Sequence, residues 1–202
     1  MIPFYRRELS TRLDEALLDT PVVLLNGARQ TGKTTLALSM GEGRPAANGA
    51  SYSFDDTVTR GAAQSDPLGF LRSVLATAGD WRGPIVLDEV QHVPALFPAL
   101  KIWVDEARLR REPHYGRFLL TGSANVLLLP KISESLAGRM DILTLWPLAQ
   151  AEIVGRLAGL VDALFELPLK MSISVDIDLE NRLLSEGFPE ALNRTAGRRR
   201  KA

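Results

Sequence analysis

Eight consecutive residues have the types and spacing to hold a phosphate group. Gly27-Ala28-Arg29-Gln30-Thr31-Gly32-Lys33-Thr34 satisfies G-x-x-x-x-G-K-[ST] at every fixed position. The glycines let the backbone curl so that successive N–H groups face phosphate oxygens. A helix opening near Lys33 adds its positive end. Lys33 is expected on the β- and γ-phosphates, and the Thr34 hydroxyl on Mg²⁺. A second group, Asp88-Glu89, ends the apolar run Ile85-Val86-Leu87. Beside a phosphate loop, an Asp in this position holds the magnesium. The adjacent Glu orients and deprotonates an attacking water. A third group, Thr121-Gly122-Ser123-Ala124-Asn125, follows Leu119-Leu120. Thr121, Ser123 and Asn125 are candidates to contact that water or the γ-phosphate, and equally candidates to cap a turn or helix. His92 and His114 read as surface or turn residues.

These groups need a frame that brings strand ends together. Val22-Val23-Leu24-Leu25, Pro84-Ile85-Val86-Leu87 and Arg117-Phe118-Leu119-Leu120 are apolar runs without alternation, the mark of strands buried on both faces of a parallel sheet. Asp141 to Leu145 reads as a fourth, and Ser51-Tyr52-Ser53-Phe54 as an alternating strand. Helical spacing marks the first twenty residues, Thr34 to Met40, Pro67 to Ala78 and Ala95 to Arg110, with a turn-rich loop over Gly41 to Gly49. Strands alternating with helices predict an α/β fold with a mostly parallel sheet flanked by helices. From about Ala149 the pattern turns largely helical, with a short strand at Met171 to Val175.

Composition bounds the rest. The 202 residues carry 24 Lys+Arg and 24 Asp+Glu, a formal charge of zero that does not indicate a nucleic-acid coat. With no Cys, disulfides, Cys-ligated zinc and thiol catalysis are excluded. No apolar stretch reaches the roughly 18 residues of a membrane span, and the start lacks a signal-peptide core. A cytoplasmic protein without membrane attachment is expected.

The ordered set resembles one group of bacterial and archaeal AAA+ ATPases. It comprises Gly-Ala-Arg-Gln-Thr-Gly-Lys-Thr-Thr at 27–35, Leu-Asp-Glu-Val-Gln at 87–91, Leu-Thr-Gly-Ser at 120–123, Ser-Leu-Ala-Gly-Arg at 135–139 and Trp-Pro-Leu at 146–148. The resemblance implies an AAA-type core over residues 1–148. It then implies a lid-like helical segment and the start of a truncated C-terminal domain over 149–202, where Glu186-Gly187-Phe188-Pro189-Glu190-Ala191-Leu192 resembles that domain's opening. It places Lys33 and Thr34 in Walker A, with Gly27 to Thr35 as the nucleotide-binding run, and Asp88 and Glu89 in Walker B. Thr121 or Ser123 falls where sensor 1 belongs. Arg139 falls where an arginine finger sits, reaching the γ-phosphate of a neighbouring subunit in a homo-oligomer. The other reading of Arg139 is an ion pair that closes the domain. Arg29 and Gln30 match the group without an assigned step. The Arg-rich tail, Arg198 to Lys201, reads as a solvated end or a contact for phosphates or nucleic acid.

The expected function is ATP hydrolysis with Mg²⁺, driving a shape change in a partner of unknown identity or in an oligomer. One alternative is a nucleotide-gated interaction module that scarcely turns ATP over. Another is a small-molecule kinase, to which the acidic pair and the Thr-Gly-Ser strand end are less suited. No Asn-Lys-x-Asp motif occurs, which argues against a GTPase.

Overall fold

The computed structural model describes residues 5–40, 51–81, 83–123, 136–155 and 187–192. Its elements run α1 (Leu9–Asp19), β1 (Val22–Gly27), α2 (Lys33–Ser39), β2 (Ser51–Ser53), α3 (Thr57–Ser65), α4 (Pro67–Ala78), β3 (Ile85–Asp88), a 3₁₀ turn (Val90–His92), α5 (Leu96–Leu109), β4 (Phe118–Ser123), β5 (Met140–Thr144), α6 (Gln150–Ile153) and α7 (Pro189–Leu192). The loop expected at 41–49, the strand expected at 171–175, Asn125 and the Arg-rich tail lie outside the described residues.

The five strands pair in parallel in the order β2-β3-β4-β1-β5. This α/β fold is the one the apolar runs predict. Because side chains alternate across a strand, β1 serves two cores. Val22 and Leu24 pack with Phe54, Leu87, Phe97, Leu100 and Phe118 beneath α3, α4 and α5. Val23 and Leu25 pack with Leu13, Leu36, Ala37 and Leu119 beneath α1 and α2. Burial on both faces explains why the runs lack polar alternation.

One strand departs from expectation. The segment read as a fourth buried run is β5, at the sheet edge, with Asp141 exposed and Ile142 41% exposed. An edge strand loses one neighbour and much of its cover. Helix α3 was not expected, since its buried residue is the small Ala63 and it carries few large apolar side chains. Local capping makes it: Asp56 accepts the Thr59 N–H at 2.8 Å. Asp66 ends α3 and caps α4, accepting the Gly69 N–H at 2.9 Å, with Pro67 in the first turn.

The central position of β1 yields a stability test. Leu24→Ala should cost about 2–5 kcal/mol in urea unfolding, since the side chain is fully buried. Leu18→Ala, at a side chain 79% exposed, should stay within about 0.5 kcal/mol.

Candidate functional site

Strand order sets the site. β4 lies between β1, which leads into residues 27–34, and β3, which ends in Asp88. All three strands point the same way, so their C-terminal ends meet at one edge, where ligands of parallel sheets bind.

Residues 27–34 form a loop closed by left-handed backbone at Gln30 (φ 63°) and Gly32 (φ 92°). Gly27 allows a close approach: a Cβ there would lie 2.4 Å from the Leu145 carbonyl oxygen. Ala28, Arg29, Gln30 and Thr35 are exposed, whereas Thr31 is buried. The Thr31 hydroxyl donates to the Ala28 carbonyl at 2.9 Å, and the Lys33 ammonium donates to the same oxygen at 2.7 Å. Burial lowers the Lys33 pKa, and the nearby Glu89 and Asp88 carboxylates oppose that shift.

The acidic strand end is tied to its neighbours through hydroxyls. Thr34 Oγ1 donates to Asp88 Oδ1 at 2.7 Å, and Thr121 Oγ1 donates to the same oxygen at 2.5 Å. Ser53 Oγ donates to Asp88 Oδ2 at 3.3 Å. The Thr121 hydroxyl also accepts the Glu89 N–H at 3.1 Å. Glu89 itself has φ 58°, left-handed for a residue with a Cβ, a conformation that costs on the order of 1–3 kcal/mol and clusters at functional sites. Its carboxylate accepts from the Gln91 side-chain amide, whose oxygen accepts the Ser123 N–H at 3.3 Å. Asp88, Glu89, Thr121 and Ser123 thus form one network with Thr34.

Among the described residues, no three His, Cys, Asp or Glu side chains cluster to hold a metal. The Asp88 carboxylate beside the Thr34 hydroxyl is a hard-oxygen pair of the kind magnesium takes when phosphate and water supply its other ligands.

Arg139 lies elsewhere. Its carbonyl accepts the Val22 N–H at 3.2 Å, at the N-terminal end of β1 and β5. Gly27 lies five residues further along the extended strand, about 17 Å away. The guanidinium forks onto Asp105, with Nε to Oδ1 at 2.7 Å and an Nη to Oδ2 at 3.1 Å. His92 faces Asp55 at 3.4 Å and accepts at its carbonyl from Gln64.

Sequence reading missed four participants. Ser53 and Gln91 join the acidic network. Arg7 and Glu152, both buried, meet behind the phosphate loop. Gln91 was available in the Asp-Glu-Val-Gln run, but Ser53 and Arg7 carry no spacing signal. Between α1 and α2 a cleft of about 350 Å³ opens beside Ser10, Asp14, Leu36, Ser39 and Met40.

A loop of this pattern at a strand-to-helix turn, facing an acidic strand end across one intervening strand, defines a P-loop nucleotide-binding protein. The model of the AAA domain family matches residues 19–154, and the chain belongs to that family of P-loop ATPases. That membership supports nucleotide binding. The chain is similar, at 40% identity over 141 residues, to the uncharacterized proteins Mb2031c of Mycobacterium bovis and Rv2008c of Mycobacterium tuberculosis. The match covers 69% of this chain and 28% of each relative. Among solved structures, a Walker-type ATPase of Pyrococcus abyssi aligns over 94% of this chain and 65% of its own, at 16% identity and TM-score 0.46. PCH-2 of C. elegans aligns over 94% and 57%, at 16% identity and TM-score 0.41. No helix among the described residues is long and apolar enough to cross a membrane.

Two outcomes follow from these bonds. Thr121→Val leaves the half-buried Glu89 N–H without its acceptor and should destabilise the fold by about 1 kcal/mol in urea unfolding. The second concerns Asp105, whose carboxyl is held below its ordinary pKa, chiefly by the Arg139 hydrogen bond, with partial burial opposing and the guanidinium charge adding. A depressed folded-state pKa contributes stability above the unfolded value that is lost as pH falls through the folded value. Both groups are partly exposed, so the pair is worth at most about 1 kcal/mol. Asp105→Asn should therefore lower the urea midpoint at pH 7, and the difference should close as pH drops below the ordinary Asp range.

Proposed function

We propose that this chain binds ATP with magnesium and hydrolyses it, using the resulting change in shape to act on a partner or a neighbouring copy. The observation that carries this reading is the shared carboxylate. Thr34, from the helix after the phosphate loop, and Thr121, from the intervening strand, donate to one oxygen of Asp88.

In this reading Gly27 to Gly32 wrap the phosphates with backbone N–H groups, and Thr34 and Thr35 open the helix whose positive end faces them. The Lys33 ammonium exchanges the Ala28 carbonyl for phosphate oxygens. Thr34 and Asp88 would hold the magnesium, which when bound neutralises charge on the β- and γ-phosphates. Glu89 takes the proton of the attacking water. Gln91 steadies that carboxylate, and Thr121 and Ser123 report on the γ-phosphate from the end of β4.

Arg139 lies too far from its own loop to reach a phosphate there, so in this reading it acts on the nucleotide of an adjacent subunit after leaving Asp105. Residues 1–148 form the ATPase core, and 149–202 form a lid-like segment leading into a second domain. A cytoplasmic site of action suits an ATP-consuming protein.

The test separates binding from turnover. Glu89→Gln cannot accept a proton, so ATP binding should survive while hydrolysis drops by roughly 10² or more. Lys33→Ala should weaken Mg-ATP binding at least about tenfold, through loss of a charge-assisted contact. Mixing Arg139→Ala with Lys33→Ala should restore part of the activity if the finger acts between subunits. Wild-type chain that binds ATP yet shows no turnover at any protein concentration would leave a nucleotide-gated interaction module instead.

A further inference from the structure

Arg7 is 6% exposed, and its fork joins three separate parts of the chain. Its Nε pairs with Glu152 Oε1 at 3.1 Å. One terminal nitrogen donates to the Thr31 carbonyl at 2.8 Å, and the other to the Trp146 carbonyl at 2.6 Å. Glu152 is itself fully engaged: Oε1 accepts the Glu8 N–H and Oε2 the Ala149 N–H, each at 2.9 Å. A buried ion pair seldom adds net stability over apolar side chains of the same volume. What a guanidinium supplies here is direction, because its planar fork fixes where each acceptor lies.

The direction matters at Thr31. In a trans peptide the carbonyl of one residue and the N–H of the next point opposite ways. Arg7 draws the Thr31 carbonyl to the back of the loop, so the Gly32 N–H faces the other side. Gly32 has φ 92° and no Cβ, and its own preferences do not fix that plane. Lys33 and Thr31 pin the opposite half of the loop through the Ala28 carbonyl. The C-terminal side is attached to the same point. Leu145 donates its N–H to the Asn26 carbonyl at 2.7 Å, and Leu148 donates to the Gly187 carbonyl at 2.6 Å. A Cβ on Gly32 would lie 3.9 Å from both Arg7 and Pro189.

We propose that Arg7 is a positioning residue for phosphate binding: it aims the Gly32 N–H into the loop and couples that geometry to residues 145–152 through Trp146 and Glu152. This rests on the reading of residues 27–34 as a working phosphate loop. Occupancy of the loop is then felt at residues 145–152, the segment that leads out of the core.

The test uses Arg7→Lys, which keeps the charge and loses the fork, and Glu152→Gln, which keeps the shape and loses the ion pair. Calorimetry with Mg-ATP and with Mg-pyrophosphate should show about tenfold or greater weakening of both in Arg7→Lys, and a smaller loss in Glu152→Gln. Hydrogen exchange at 145–152 should slow on adding either ligand to the wild type and stay unchanged in Arg7→Lys. A purely structural Arg7 would lower the thermal midpoint and leave the affinity of the folded protein intact, which overturns the proposal. Weakening for ATP alone, with pyrophosphate unaffected, also overturns it, because Arg7 would then be a contact for the base. If Arg7→Lys does not fold, unchanged pyrophosphate affinity in Glu152→Gln overturns it. Wild-type chain that binds neither ligand overturns the phosphate-loop reading itself, a failure visible without any variant.

Discussion

One carboxylate organises the centre of this protein. Asp88 ends the acidic strand, and its two oxygens accept hydroxyls from α2, β4 and β2. Its backbone carbonyl also accepts the Phe54 N–H at 3.0 Å, which fixes the turn after β2. A buried carboxylate is costly unless its lone pairs are satisfied. Here short hydroxyl side chains satisfy them, and satisfying them brings four chain segments into register at the phosphate-binding edge. The left-handed Glu89 follows from the same arrangement: Thr121 holds both the Asp88 carboxylate and the Glu89 N–H, so the chain must turn sharply there.

The buried frame was legible in the sequence because burial on both faces removes polar residues from a strand. Val22 to Leu25, Ile85 to Leu87 and Phe118 to Leu120 show this directly. At β5 the signal misled, since an apolar run at a sheet edge looks the same as one at the centre until its neighbours are known. Helix α3 escaped notice because side-chain caps start it and one small residue buries it. The motif-bearing residues stood out because phosphate chemistry constrains their spacing. Arg7, Ser53 and Glu152 did not, because each acts through a partner far away in sequence. Arg7 and Glu152 are 145 positions apart, and only folding makes them neighbours.

Two kinds of anchoring meet around the loop. Inside, Lys33 and Thr31 both donate to the Ala28 carbonyl. Outside, the Arg7 fork holds the Thr31 and Trp146 carbonyls, and Leu145 passes close to Gly27. The inner set joins residues three and five positions apart, and the outer set joins residues that are distant in sequence. Trp146 shows the outer surface of that anchoring, 73% exposed while its carbonyl is held beneath.

The pairing of β1 also governs how the chain is made. Val22 finds its partners at Phe118 and Met140, far downstream in the chain. At ribosomal speeds of about 5–20 residues per second, β1 emerges on the order of ten seconds before either neighbour exists. During that interval Val22 to Leu25, an uncharged β-branched and leucine run, has no sheet to join, which is the condition under which chains aggregate or recruit chaperones. Both pairings of β1 therefore wait for β4 and β5, while β2 and β3 can already pair with each other. A nascent chain released before β4 holds every residue of the phosphate loop and neither of the strands that flank β1.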